Sequence, residues 1–231
     1  MRSVVVSGSF VLLAAAGLFV ACGADDPPPP PQCACQHEHA HGEEAPSSGL
    51  PAAAPLPDTS IYQLDGVFSD QDAHPFALSS LRGSPVLVLM FYGSCQSVCP
   101  LLISQALRVD QGLTEDQRAH LRVVLVTFDP ERDTPERLRA LAAERQLPLE
   151  RWSLLRGDDD AIRELAMVLG VQYRRTADGA FVHSATVALL DREGRVAMQL
   201  EGTDTPVGGL AERTRALISE APERSALAPA P

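Results

Sequence analysis

The chain has 231 residues, of which 45% are hydrophobic and only 5% aromatic, and its formal net charge is −11. This length accommodates one ordinary domain with terminal segments. All 19 basic residues are arginines and they form no cluster, which argues against a nucleic acid as partner.

The N-terminus has the pattern of an export signal. Arg2 precedes an almost uninterrupted apolar run, Val4 to Val20, and Ala21 and Cys22 follow it. This order is typical of a signal peptide, and the Ala-Cys junction resembles a bacterial lipobox. We therefore expect residues 1–21 to be cleaved and Cys22 to be lipidated. A plain signal peptide and an uncleaved membrane anchor are the alternatives. All three export the domain, to the periplasm or the cell exterior.

Residues 22–59 are predicted to form a flexible, proline-rich linker. Five consecutive prolines, Pro27–Pro31, favour an extended polyproline II segment that holds a domain away from a membrane. The linker also contains two cysteines and three alternating histidines. These residues are Cys33, Cys35, His37, His39 and His41. Short Cys/His-rich tracts bind copper or zinc, so we expect an auxiliary metal site here. The alternative is a solvated linker in which histidine recurs by chance.

Residues 60–220 have the pattern of one folded domain, followed by a tail at 221–231 that is expected to be disordered. Strands are predicted at 76–78, 85–92, 121–128, 152–155, 182–190 and 196–200, and helices at 101–113, 135–146, 158–169 and 206–218. Strands that alternate with helices and end in an antiparallel hairpin indicate an α/β sandwich of the thioredoxin type, with a central mixed sheet flanked by helices.

Cys95 and Cys99 follow the first long apolar strand, at the turn where a helix begins. Two thiols at this spacing can bind a soft metal ion, exchange with another disulfide, or form an inert disulfide. The helix N-terminus favours a thiolate. A spacing of four also places both sulfur atoms on one face if the segment is helical. The residues alone leave these uses open.

His183 is the candidate third ligand, because it begins an apolar strand whose end can lie near the cysteine turn. Two thiolates and one imidazole form a trigonal set that suits Cu(I). An isolated histidine is more often an ordinary hydrogen-bonded residue, so the residue alone does not decide. His74 and His120 have no such context and are expected at the surface.

Three stretches together resemble the Sco/SenC family of thioredoxin-fold copper chaperones. They are Phe91–Pro100, with its Cys-x-x-x-Cys-Pro pattern; Phe128–Pro135, with Asp-Pro-x-Arg-Asp-Thr-Pro; and Val182–Asp191. The resemblance implies that Cys95, Cys99 and His183 bind copper. It also implies a second-shell or docking role for Asp129, whose alternative is turn formation.

Together with the export signal, the resemblance indicates a membrane-tethered metallochaperone rather than an ordinary enzyme. Such a protein binds one copper ion, as Cu(I), Cu(II) or both, and delivers it to the binuclear copper centre of cytochrome c oxidase. Other periplasmic copper carriers are further candidate partners. The main alternative is a thiol–disulfide oxidoreductase that reduces cysteines of the oxidase subunit or acts in redox or copper signalling. A peroxidase is disfavoured, because no Thr-x-x-Cys pattern with a supporting arginine is evident. A structural disulfide between Cys95 and Cys99 is the remaining alternative.

Overall fold

The computed structural model describes residues 56–220. The predicted signal peptide, the lipidated Cys22, the linker ligands and the C-terminal tail lie outside the described residues. Between residues 56 and 220, no helix is long and apolar enough to cross a membrane.

The described residues contain nine strands and five α-helices. The strands are β1 (Phe68–Ser69), β2 (Pro75–Phe76), β3 (Val86–Phe91), β4 (Arg122–Thr127), β5 (Trp152–Gly157), β6 (Tyr173–Arg175), β7 (Phe181–His183), β8 (Thr186–Leu190) and β9 (Val196–Glu201). The helices are α1 (Val98–Gln111), α2 (Glu115–Ala119), α3 (Pro135–Glu144), α4 (Asp159–Val168) and α5 (Gly208–Ser219). Two short 3-10 turns, Ile61–Gln63 and Leu78–Leu81, complete the described elements.

Strand β3 lies inside a seven-stranded mixed sheet with the order β2-β1-β5-β4-β3-β8-β9. Strands β3, β4 and β5 are parallel, whereas β8 runs antiparallel to β3. Every residue of β3 is buried, as expected for a strand covered on both faces. Helix α1 contacts β3, β8 and α5, and α4 contacts β5. The predicted mixed α/β architecture is therefore confirmed.

The helix starts follow from their capping residues. Thr134 accepts a hydrogen bond from the backbone of Arg137, and Pro135 occupies the first helical position of α3. Asp158 caps α4 in the same way, through the backbone amide of Ala161. The helix predicted at 158–169 therefore begins one residue later, because Asp158 is its cap rather than its first residue. The cap at Thr134 fixes where the loop after β4 ends.

The prediction of one strand over residues 182–190 is wrong. Its first part belongs to β7, which pairs with β6 in a separate two-stranded sheet, and its second part is β8 in the main sheet. The chain changes partners at Ser184, whose amide donates to the carbonyl of Gln172, while the carbonyl of Ala185 accepts from Gly202. No glycine or proline occurs between Val182 and Leu190, so the sequence offered no clear break between the two strands. The predicted strand at 76–78 also ends early, because Leu78 begins a 3-10 turn.

Candidate metal centre

The two cysteines lie in the loop between β3 and α1, residues 92–97, and in the first turn of α1. We call residues 92–97 the cysteine loop. The amide of Cys95 donates to the carbonyl of Tyr92 at 3.1 Å, which closes a turn. The amide of Cys99 then donates to Sγ of Cys95 at 3.4 Å. Cys95 precedes the helix, so this turn brings the sulfur atoms together, rather than a shared helical face.

Both thiols are free and buried, with 8% of Cys95 and 2% of Cys99 exposed. In this structure the pair is two thiols. Both thiols are therefore largely shielded from water.

His183 completes a three-residue group. It ends β7, and its Nε2 lies 3.5 Å from Sγ of Cys99. Its Nδ1 lies 2.8 Å from the carbonyl oxygen of Ser184, to which it donates as Nδ1–H, so the Nε2 lone pair faces the sulfur atoms. The ligand atoms of Cys95, Cys99 and His183 all lie within 4.8 Å of one another. These three residues could hold a metal ion, and two sulfur atoms with one imidazole suit copper.

The two thiols have opposite electrostatic environments. Burial raises the pKa of Cys95, but hydrogen bonds from the backbone of Cys99 and Ser97 and from the side chains of Cys99 and Tyr92 outweigh it and lower that pKa to about 6. Burial raises the pKa of Cys99, and the neighbouring Cys95 raises it further. At neutral pH the pair is therefore one thiolate, at Cys95, and one thiol, at Cys99.

Aromatic rings enclose the imidazole, a feature that the sequence analysis missed. The His183 ring centroid lies 5.0 Å from that of Phe128 and 6.1 Å from that of Tyr92. Phe128 also packs on Phe181 and stacks on Tyr173, at 4.9 and 5.0 Å. Aromatic residues at the ends of predicted strands were the available signal. These rings restrict the imidazole and exclude water from one side of the site.

Two buried aspartates lie in the loop between β4 and α3, residues 128–134, which we call the β4–α3 loop. The carboxylate of Asp129 pairs with Arg132 and Arg175. The carboxylate of Asp133 accepts hydrogen bonds from Gly93 and Thr127. No hydrogen bond joins Asp129 to Cys95, Cys99 or His183 among the described residues, so its direct second-shell role stays a prediction. Asp133 was not identified from the sequence as a site residue, although the pattern Asp-Pro-Glu-Arg-Asp-Thr-Pro at residues 129–135 contains both carboxylates.

The remaining described histidines lie at the surface, as predicted. His120 is exposed, and so is His74, whose side chain is 76% accessible. His74 does lie near Asp70 and Asp72, in a second group whose geometry could hold a metal ion. There Asp72 already pairs with Arg139 at 3.1 Å, and the group is largely open to solvent.

Solved structures of several organisms share this fold. The chain superposes with a TM-score of 0.60 on a SCO1/SenC family lipoprotein of Bacillus anthracis, at 23% identity over 67% of this chain and 94% of the other. The TM-score is 0.54 for ScoI of Bradyrhizobium japonicum with copper bound, at 23% identity over 66% and 96% of the two chains.

A third similar structure is BsSco, described as having a disulfide switch and as a member of the Sco family of cytochrome c oxidase assembly proteins. The TM-score is 0.60, at 22% identity over 72% of this chain and 99% of the other. At these identities the likeness shows a common fold, which confirms the predicted thioredoxin-like class. The sequence family described as SCO1/SenC matches residues 59–219, which is more than half of the chain. The chain therefore belongs to the SCO1/SenC family.

Proposed function

We propose that this chain is an exported, membrane-tethered copper metallochaperone. It binds one copper ion through Cys95, Cys99 and His183 and delivers it to the binuclear copper centre of cytochrome c oxidase during assembly. The observation that carries this proposal is the convergence of the three ligand atoms within 4.8 Å. The copper-bound ScoI and the oxidase assembly family of BsSco support the cargo and the recipient.

The geometry suits an ion that is held and then passed on. The Cys95 thiolate attracts a soft cation directly, whereas Cys99 releases a proton when it becomes a ligand. Three protein ligands leave a position for a ligand from the recipient, so copper can transfer through a shared-ligand intermediate. The aromatic rings around His183 keep competing water away from one side of the site.

Copper titration of the reduced full chain tests the metal site, in a background in which the five linker ligands are replaced by Ser and Ala. The wild type is expected to bind one copper ion tightly at the folded site, and His183→Ala to lose tight binding, because two sulfur ligands remain without the third. His120→Ala is the matched control, since His120 is an exposed histidine outside the site. Undiminished copper affinity in His183→Ala would contradict the assignment.

The second candidate function is thiol–disulfide exchange, favoured by the lowered pKa of Cys95 beside the protonated Cys99. The Cys95 thiolate attacks a partner disulfide, forms a mixed disulfide and releases one partner thiolate. Cys99 then attacks the Cys95 sulfur and gives up its proton to the departing thiolate. The chain ends with a Cys95–Cys99 disulfide, and the partner is reduced to one thiol and one thiolate, which takes a proton from water.

Glutathione disulfide distinguishes this function from copper transfer. Cys99→Ser should accumulate a glutathione adduct on Cys95, detected by mass spectrometry, while the wild type forms the internal disulfide. His183→Ala should retain this reaction, because exchange needs no imidazole ligand. The absence of any adduct in Cys99→Ser would exclude Cys95 as the attacking thiol.

The tether and the linker complete the proposal. Cys22 carries the lipid, so Cys22→Ser should move the exported chain from the membrane fraction to the soluble fraction.

Cys33, Cys35 and the three linker histidines bind a second copper ion. Replacing the five together, with Ser for Cys and Ala for His, should lower the stoichiometry in the full chain from two ions to one. An unchanged stoichiometry would rule out the auxiliary site.

A further inference from the structure

The two halves of the candidate site both contact the β4–α3 loop, although they are distant in sequence. One half is the cysteine loop, which carries Cys95. The other is the β6–β7 hairpin, residues 173–183, which ends at His183 and which we call the His hairpin. The hairpin pairs only within itself in the described part of the chain, so backbone hydrogen bonds to the main sheet do not hold its strands in place.

Asp133 fixes the cysteine loop. Its carboxylate is buried, and one of its oxygens accepts a hydrogen bond from the amide of Gly93 at 2.8 Å. The hydroxyl of Thr127 donates to the same oxygen. A Cβ atom at position 93 would overlap the other oxygen of this carboxylate. Gly93 is two residues before Cys95, so the carboxylate sets the path of the chain into the cysteine turn.

Asp129 fixes the His hairpin. Its carboxylate is also buried, and Oδ1 accepts from Nη2 of Arg175 at 2.9 Å, while Oδ2 accepts from Nε of Arg132 at 2.5 Å. Arg175 belongs to β6, and Arg132 donates a second hydrogen bond to the carbonyl of Gly179 in the hairpin turn. One carboxylate therefore holds the hairpin at two points.

The Arg175 contact leads directly to the strand that carries the imidazole. Arg175 is the register partner of Phe181, and its guanidinium carbon lies 5.2 Å from the centre of the Phe181 ring. Phe181 is two residues before His183 on β7. Displacing Arg175 therefore displaces β7, and with it the ring whose Nε2 faces Cys99.

Thr127 links the carboxylate of Asp133 to the backbone of Asp129. Its hydroxyl donates to Asp133 and accepts from the amide of Asp129 at 3.0 Å. The hydroxyl has one hydrogen to donate, which goes to Asp133, and its oxygen accepts from Asp129. Through this one side chain, the two ends of the β4–α3 loop are held relative to each other. Buried charges with several partners keep a loop rigid, because each lost partner leaves a charge that water cannot solvate.

We propose that Asp129 and Asp133 are positioning residues that hold the histidine and cysteine halves of the site at ligand distance from each other. Neither carboxylate has a hydrogen bond to a ligand side chain among the described residues. They act through Arg175 and Arg132 on one side and through Gly93 on the other. The inference rests on the proposed copper site, but the backbone positions that it concerns exist without copper.

The test of the histidine side is Asp129→Asn, which keeps the shape and removes the charge. Hydrogen–deuterium exchange of the reduced, copper-free full chain is expected to accelerate in residues 173–183 and to stay unchanged in residues 92–97. Copper affinity is expected to fall roughly 10- to 100-fold, as for lost outer-shell partners. With the five linker ligands replaced, nitrogen hyperfine coupling in the Cu(II) spectrum should weaken, because the imidazole is displaced.

Glu131→Gln is the matched control. Glu131 also pairs with Arg175, at 3.4 Å, but its side chain is 76% exposed. Exposed pairs contribute little, so hairpin exchange, copper affinity and the Cu(II) spectrum should all stay as in the wild type. Equal effects of Asp129→Asn and Glu131→Gln would overturn the proposal that the buried carboxylate is the anchor.

The cysteine side is tested by Asp133→Asn and, independently, by Gly93→Ala. Both variants should accelerate exchange in residues 92–97 more than in residues 173–183, the reverse of Asp129→Asn. If Asp133→Asn does not fold, Gly93→Ala still gives the result, because it leaves the buried carboxylate in place and disturbs only its approach to the loop. Unchanged exchange of the cysteine loop in Gly93→Ala would overturn this half of the proposal.

The experiments give different results if the positioning role of Asp129 and Asp133 is wrong and if the copper function is wrong. If the wild type binds no copper at the folded site, the proposed function is wrong, whereas the exchange patterns of the copper-free variants still test the anchors. If the wild type binds copper and Asp129→Asn leaves both affinity and hairpin exchange unchanged, the positioning role is wrong and the metal site stands.

Discussion

The cysteine half and the histidine half of the site are built by different means. The cysteine half continues β3, the fully buried strand near the middle of the sheet, and leads into α1. Main-chain hydrogen bonds of a sheet and a helix hold it on both sides. The histidine half lies on a two-stranded hairpin outside that sheet, and side chains attach it to the rest of the domain.

Because of this difference, a substitution can either remove a copper ligand or move an intact ligand out of position. The sulfur atoms are close together because neighbouring residues fold locally into a turn. Aromatic and ionic contacts across the fold, in contrast, bring the imidazole to them. Loss of a sulfur atom therefore removes a ligand from a fixed position. Loss of a contact between the His hairpin and the β4–α3 loop instead leaves His183 intact and moves it away from the sulfur atoms.

The largest expected effect is that of Cys95→Ser on Cu(I) binding. A serine hydroxyl is a hard, protonated donor, so the change removes both the softness and the negative charge of the ligand. The loss of affinity should exceed the roughly 10- to 100-fold typical of an outer-shell partner, and should exceed that of His183→Ala. Competition with a Cu(I) chelator measures it, in a background where Cys33 and Cys35 are serine. A larger loss in His183→Ala would reverse the ranking of the two halves.

Phe128→Ala should give the next largest effect, and it acts on both halves at once. Phe128 is 4% exposed and contacts Tyr92 of the cysteine loop as well as the aromatic rings of the hairpin. Removing a buried phenylalanine side chain costs about 3–5 kcal/mol of the free energy of unfolding, measured by urea denaturation. Val182→Ala is the control within the hairpin, since Val182 is 59% exposed. Its cost should stay within about 0.5 kcal/mol.

An unfolding cost of Phe128→Ala no larger than that of Val182→Ala would show that the aromatic rings do not hold the hairpin. The hairpin would then depend on the ion pairs of Asp129 alone.

The sequence predicted the main sheet well, because its strands are long apolar runs with clear ends. Strand β3, for example, occupies Val86–Phe91 within a predicted range of 85–92. Local spacing also identified the cysteine pair, since Cys95 and Cys99 lie in one turn. The start of α1 was placed too late, at residue 101 rather than at Val98, because Pro100 occurs inside the first turn rather than before it.

The histidine half was not predictable from local pattern. Position 183 is 84 residues from Cys99, and only the family resemblance connected the two. The hairpin itself was missed, because Tyr173–Arg175 is short and polar and because β7 runs on into β8 without a turn signal. The anchors of Asp129 and Asp133 depend on contacts between loops, which no periodicity reports.

The smallest expected effect is that of Tyr92→Phe, which sharpens the account of the cysteine half. The Tyr92 hydroxyl is one of the donors that stabilise the Cys95 thiolate and bring its pKa to about 6. Without this donor the thiolate is less favoured, so the pKa of Cys95 should rise. Iodoacetamide alkylation of the reduced, copper-free chain measures it, followed by peptide mass spectrometry across a range of pH.

In the wild type, alkylation of Cys95 should fall as the pH drops through about 6, whereas Cys99, with its raised pKa, should stay slow at neutral pH. In Tyr92→Phe the same fall should begin at a higher pH, and well above both values the two proteins should react alike. Tyr173→Phe is the control. Tyr173 lies in the His hairpin and stacks on Phe128 of the β4–α3 loop, and it is not among the donors to Cys95. An equal shift in both variants would contradict the assignment of the Tyr92 hydroxyl as a donor to Cys95, because the Tyr173 hydroxyl is not one of its donors.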